Sequence, residues 1–340
     1  MERTEPAMLE HLDPRSARWL DFIGVHKPTL FQSSDWASVI ESTYGFPMRI
    51  ATLVRDGRVI AGLPYAEIDD FRGRRRVAFA FADVCEPLGD DWPALERALC
   101  DEGVPWQIRS RVAPGSSADA REVGVHQSIS LAGGAEGVRS RLHPKQRANA
   151  LAGERAGLTH RLLSADEAVE TFYTLHSRVR VAKHRLLPQP RLFFERLAER
   201  FFPDRGFVVA AHAGGRTVSA MLFIKWGDTL YYKFSASDLD ALGMHPNHYL
   251  LGKVVEEAAS EGFATVDLGI SEDEGLVRFK RRLGADAAPV YSGKYLQPEK
   301  NDAVRSMEAA LSDLTRILTE PGVPLAAAQA AGNAVYRYFA

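Results

Sequence analysis

The chain has 340 residues, 46% of them apolar and 25% charged, and its formal net charge is −2. This is the balance of a folded globular protein, and the length exceeds one ordinary core, so two domains of about 150 residues each are expected. The charge provides no global field for DNA or anionic lipid, no apolar run approaches the ~20 residues of a membrane span, and Cys85 and Cys100 form no CxxC pair that would indicate a disulfide framework or a zinc site.

The N-terminal stretch MERTEPAMLEHLDPRSARWLDF is acidic and broken by prolines, without the apolar centre of a signal peptide, so a cytoplasmic location is expected. A helix is expected from Asp35 to Tyr44, followed by strands in MRIATLV and VIAGLPYAEI that meet at a tight turn on Asp56-Gly57. The plan recurs downstream. A helix over Leu192–Phe201 precedes GFVVAAH, a turn at Gly214-Gly215, and TVSAMLFIKW. Setting Gly57 against Gly215 aligns GRVIAGLPY with GRTVSAMLF and Trp36 with Phe194, which predicts an internal repeat of helix and hairpin.

Between the copies, the residues after Pro144 up to a stop at Gly157 predict a connecting helix with one basic side. Four basic runs stand out: Arg72–Arg76, Arg139–Arg161, Arg178–Arg185 and Arg278–Arg282. Each is either a solvated face or a local patch for a polyanion. Further on, LYYKFSAS reads as a strand, and a helix opens at Pro246 and closes at Gly262. In FATVDLGI, Val266, Leu268 and Ile270 take one face and Thr265, Asp267 and Gly269 the other. On a helical wheel of LVRFKRRLG, Leu276, Phe279 and Leu283 form the inward stripe with Lys280 beside them, while Arg278, Arg281 and Arg282 point away. Such a lysine either snorkels to the surface or is a fixed cation able to stabilise an oxyanion. A final amphipathic helix over 301–319 carries Val304, Met307, Leu311, Leu314 and Leu318 on one face, and a short helix follows Pro321-Gly322. There is no GxSxG elbow and no HExxH, which argues against hydrolase and metalloenzyme chemistry.

The segments YYKFSASD, HPNHYLL, VDLGISEDEGLVRFKRRLGA and YSGKYL resemble the closing domain of FemAB-like proteins, a branch of the GNAT acyltransferases that includes peptidoglycan bridge-forming members. FQSSDWASVIESTYG, GLPYAEI, FAFADVCEPLG and LHPKQRANALAGERAGL are similar to family segments in the same order, so the resemblance spans about Phe31 to Leu296. It implies an α/β fold with mixed sheets in two tandem GNAT-like domains: a first domain at 1–138, a connecting helix at 139–160, a second domain at 161–298 carrying the cleft, and C-terminal helices at 299–340 packed on it.

The implied activity is transfer of an aminoacyl or acyl group to an amine, with no tightly bound cofactor. Aminoacyl-tRNA is the expected co-substrate, acyl-CoA the alternative, and a non-catalytic binding protein in polysaccharide assembly the reading from another class. A glycan, peptide or small-molecule acceptor is expected, with no DNA and no membrane insertion. A monomer is expected because the helical arm of some relatives is missing. By motif, Phe279 and Lys280 match the family F-K pair near the reacting carbonyl, and Asp267 is placed to orient the acceptor amine or to pair with an arginine. Asp83 matches the acid of an F-x-D step; Lys233, Ser235, His248 and Tyr249 are expected in the substrate cleft, with Lys145, Arg147 and Arg281 contributing positive charge. The loop DLDALGMHPNHYLL has one glycine, two aspartates and a proline, unlike the glycine-rich amide loop that holds a CoA pyrophosphate.

Overall fold

The structure is a computed structural model describing residues 6–78 and 80–340. Phe79, which opens the FAFADVCEPLG segment, and the first five residues of the N-terminal stretch lie outside the described residues. The chain forms two compact units, one of the residues up to Gly124 with Pro289–Ala309 and Ala340, the other of Val125–Ala288 with Ala310–Phe339.

The first unit begins with β1 (Met8–Leu12), α1 (Ala17–Val25), α2 (Ser34–Tyr44), β2 (Met48–Arg55) and β3 (Arg58–Asp70). It continues through β4 (Gly73–Val77), β5 (Leu88–Gly89), α3 (Trp92–Asp101) and β6 (Trp106–Ser110). Then come β7 (Asp119–Ser130), α4 (Gly134–Arg141), α5 (Pro144–Arg155), β8 (Thr159–Leu162), α6 (Ala165–Ala182) and α7 (Arg191–Phe201). The hairpin and sheet of the second unit are β9 (Gly206–Ala213), β10 (Arg216–Trp226) and β11 (Thr229–Ser237), followed by α8 (Pro246–Ser260), β12 (Thr265–Ser271), α9 (Glu274–Arg282) and β13 (Asp286–Tyr295). Helices α10 (Asp302–Leu318) and α11 (Leu325–Val335) close the chain.

In the first unit the strands run β1-β2-β3-β4-β6-β13, with β5 on β3; in the second they run β7-β12-β11-β10-β9-β8. Both sheets are antiparallel except at one step, β4 with β6 and β11 with β12. The repeat read in the sequence is present in three dimensions. Helix α2 starts on the Ser33 hydroxyl, which accepts from the Trp36 amide, and buries Trp36 as α7 buries Phe194. The two hairpins turn on Asp56-Gly57 and Gly214-Gly215, all four with positive φ, the left-handed pair that matches strand twist in a two-residue loop. Both hairpins also carry an irregular step at corresponding positions, Ile60 and Val218. The same offset sets α3 against α8, so each unit is a strand-rich layer with a helix following its third antiparallel strand.

The second unit's core joins Val209, Ala211, Met221, Phe223 and Val266 of the sheet to Leu250, Leu251, Val254 and Val255 of α8. Two boundaries differ from expectation. The units divide after Gly124 rather than at 138, because the last residues of β7 pair with β12, and Leu131, Val138 and Leu158 belong to this same core. The segment expected as a free connector at 139–160 is therefore part of the second unit, with α5 packed on α8. Residues 299–340 do not form one block either: the start of α10 belongs to the first unit, where Glu308 pairs with Lys300 at 2.7 Å and Arg72 at 3.6 Å. In the second unit Ala328 of α11 packs with Val181 and Leu187, while Met307, expected on the inward stripe, is exposed.

Candidate active site

Parallel pairing between β11 and β12 lasts three residues and ends at Tyr231 opposite Asp267. At that level both strands are irregular. Leu222 of β10 pairs with Phe234 and Phe223 pairs with Tyr232, which leaves Lys233 as the extra residue of a bulge. On β12 the register to β7 shifts between Asp267 and Ile270, where Gly269 has a φ of 67° that a side chain would disfavour. A backbone opening thus forms between two bulges, with charged side chains at its edge.

Asp267 is held from two sides. His126 Nε2 lies 3.0 Å from each carboxylate oxygen, and the Gly269 amide donates to Oδ1 at 2.7 Å. Burial opposes ionisation of this carboxyl, but the hydrogen bond and charge of His126, the Gly269 amide and the charge of Lys233 outweigh it and hold it below its ordinary value. Asp267 therefore pairs with a histidine rather than an arginine. Lys280 is 3% exposed, and its Nζ donates to the carbonyl oxygens of Gly269 at 3.3 Å and Ile270 at 3.1 Å. It does not snorkel. The wheel read from the sequence was rotated: Leu276 is exposed, and α9 turns Val277, Lys280 and Leu283 inward, with the Val277 carbonyl accepting from buried Gln127 at 3.2 Å.

Phe279 is half-buried with its ring edge-on to His248, centroids 5.0 Å apart. His248 is caught between two side chains of α5: Gln146 Oε1 accepts from Nδ1, and Asn149 Nδ2 donates to Nε2 at 3.2 Å. Gln146 also donates to the His248 carbonyl at 3.2 Å, which fixes its amide. That pattern defines a neutral ring. Burial, with the charges of His245, Arg282 and Lys145, pushes the His248 pKa down to about 4. Tyr249 packs away from this point, its hydroxyl 2.9 Å from His160 Nδ1, and burial raises its pKa. Ser235 is half-buried beside the Tyr232 phenol, which burial pushes up to about 12. Lys145 and Arg147 of α5 and Arg281 of α9 are exposed, and Asp83 lies in the first unit between β4 and β5.

The structure thus brings Lys233, Asp267 and Lys280 together, adds Phe279 and His248 beside α9, and assigns Tyr249 to packing. His126, Gln127, Gln146 and Asn149 were not found from the sequence. The signal for His126 was its place in the alternating strand GVHQSIS, where a polar ring breaks an apolar pattern. Several basic runs are spent internally: Arg75 chelates Asp70 at 2.7 and 3.1 Å, Arg76 pairs with Glu102, Arg139 with Glu256 at 3.1 Å, and Arg180 donates to the Leu187 carbonyl. Among the described residues no group of three His, Cys, Asp or Glu could hold a metal ion, and no helix is long and apolar enough to cross a membrane. Cys85 is buried, and burial drives its thiol pKa upward.

Residues 139–281 match the family model described as an acetyltransferase (GNAT) domain. The chain is an acyltransferase carrying a GNAT-type domain. Its fold is similar to that of FemX, at 13% identity and a TM-score of 0.62, covering 84% of this chain and 96% of FemX. That likeness agrees with the FemAB-like branch read from the sequence motifs. The fold is also similar to L-PGS from Bacillus licheniformis, at 12% identity and a TM-score of 0.53 over 91% of this chain and 99% of that one. A conserved protein of unknown function from Bacteroides thetaiotaomicron has a TM-score of 0.54 at 11% identity, over 85% of this chain and all, 100%, of that one. No curated protein matches the sequence.

Proposed function

We propose that the second unit joins an activated aminoacyl or acyl group to an amine, forming an amide, with charged tRNA as the donor carrier. The observation that carries the reaction type is the pairing of an ionised carboxylate, Asp267, with a buried ammonium, Lys280, where β11 and β12 part. Esters and thioesters are already activated, so chemistry at such a site needs orientation of the amine and stabilisation of the carbonyl oxygen as it gains charge. A fixed donor or cation at the oxyanion contributes about 3 kcal/mol. Asp267 suits the first task and Lys280 the second.

The loop between β11 and α8 favours a donor other than acyl-CoA. Its amides are already used: Asp240 N donates to Asp238 Oδ1 at 3.1 Å, Ala241 N to the Asp238 carbonyl at 3.1 Å, and His245 N to Leu242 at 3.0 Å. Asp238, bound to Arg216 at 2.7 Å, adds negative charge where a pyrophosphate would otherwise lie. A second reading, acyl transfer from acyl-CoA, is favoured by the GNAT match over 139–281. The acceptor would be an amine of a cell-wall precursor, a glycan or a small peptide.

Thermal stability and ligand retention with a charged-tRNA pool and with acetyl-CoA, at two salt concentrations, separate these readings. Salt-sensitive retention of charged tRNA, with amide product from an added amine, is expected. Stabilisation by acetyl-CoA without RNA retention would transfer the function to the second reading. Ligand affinity without any product would sink the enzyme and leave a binding protein.

A further inference from the structure

The His126 imidazole is 5% exposed and lies on β7 opposite Ile270, whose carbonyl oxygen takes the Lys280 ammonium. The Asp267 carboxylate in front of it is more open, at 13%. Its two oxygens are not equivalent. Oδ1 meets both the Gly269 amide and His126, whereas Oδ2 meets only His126 Nε2 among the described residues. A carboxylate can accept about four hydrogen bonds, so Oδ2 retains capacity for a further donor. Because both oxygens accept from one nitrogen, Nε2 carries the proton and the ring fixes the carboxylate plane.

We infer that His126 is a positioning residue for the acyl transfer proposed above, clamping Asp267 so that its Oδ2 receives the acceptor amine and takes the proton it gives up. This rests on that reading of the reaction. As the amine nitrogen forms its bond to the acyl carbon, the carbon–oxygen or carbon–sulfur bond to the carrier breaks. The nitrogen's proton passes to Asp267 and from there to the departing oxygen or sulfur, so the carboxylate is regenerated. The charged groups around Asp267 are His126 from β7, Lys233 from β11, and Lys280 from α9 on the next two carbonyls along β12. Lys233 favours the ionised carboxylate, and His126 adds a hydrogen bond that a glutamine amide can imitate.

The test compares wild type, H126L, H126Q and D267N, using whichever of charged tRNA or acetyl-CoA the wild type accepts. Measurements are kcat, KM for the amine, the acid limb of the pH profile and the melting temperature. H126L should lose about 100-fold in kcat, the scale of a misplaced proton acceptor. Its acid limb should shift to higher pH, because Asp267 loses the donor that stabilises its charge. H126Q should recover most of the rate and the wild-type limb, and D267N should lose the limb together with the rate. If H126L does not fold, H126N, too short to reach both oxygens, is read in its place. A folded leucine or asparagine variant with wild-type kcat and an unmoved limb overturns the inference, as does H126Q no better than H126L. A wild type that transfers from neither donor overturns the reaction itself, and the inference with it.

Discussion

Lys280 Nζ donates to the Ile270 carbonyl oxygen at 3.1 Å from a side chain that is almost wholly buried. A lysine lying on the surface could be truncated at little cost, but this one satisfies two carbonyls of an irregular strand. Lys280→Ala leaves both without that donor, at roughly 1–3 kcal/mol each. Urea unfolding should register a loss of about 2–5 kcal/mol, together with loss of transfer activity. A variant of wild-type stability would mean that the ammonium does not hold β12.

His176 of α6 is packed among Phe172, Phe194 and Phe234, with Nε2 at 2.7 Å from Gln189 Oε1. Burial, outweighing the Gln189 hydrogen bond and reinforced by the charges of Arg180 and His184, lowers its pKa from 6.5 to about 3. The unfolded chain therefore binds this proton more readily. The stability due to the neutral ring is complete above pH 6.5 and is lost as the pH falls from there toward 3, with a slope of up to about 1.4 kcal/mol per pH unit. His248, lowered to about 4, acts in the same direction. Unfolding free energies of wild type and His176→Phe at pH 7 and pH 5 should show a shallower decline in the variant; equal declines would place the sensitivity elsewhere.

Gly153 lets α5 lie close on α8. A Cβ added there would stand 2.9 Å from Tyr249 Cβ and 3.3 Å from the Met244 carbonyl oxygen. Neither is the end of a flexible side chain. The ~1 kcal/mol that alanine would add through helix propensity is outweighed by the 1–3 kcal/mol that overpacking costs, roughly. Gly153→Ala should unfold at lower urea concentration than wild type, and a stabilised variant would contradict the packing.

Within the run Arg72–Arg76 the arginines are not equal. Arg75 chelates Asp70 with both side chains buried, whereas Arg74 is exposed and reaches Glu67 only at 3.4 Å. Removing one partner of a buried pair costs about 3–5 kcal/mol, and removing an exposed one about 0–1 kcal/mol. Arg75→Ala should destabilise strongly and Arg74→Ala barely. Similar losses in both, measured by urea unfolding, would refute the distinction.

The sequence by itself determined the repeat, because its evidence is local. Two hairpins turn on residues that tolerate positive φ, each after a capped helix, and Gly57 and Gly215 mark the same point in both. Motif order likewise pointed to the GNAT-type domain and to Asp267, Phe279 and Lys280. What a helix buries was less legible. The stripe of α9 was misplaced by one position, since a nine-residue helix with four basic side chains leaves too few apolar residues to fix its phase.

Only the tertiary structure decided the partners. His126 and Asp267 are brought together because β7 and β12 are neighbours in the sheet, and nothing local to either residue encodes that pairing. The same holds for the basic runs, where long-range carboxylates such as Glu102 and Glu256 separate structural arginines from exposed ones. Local dihedral preference and periodicity act over a few residues and are written along the chain. Burial, charge pairing and the ionisation state of a buried group depend on which distant segments pack together.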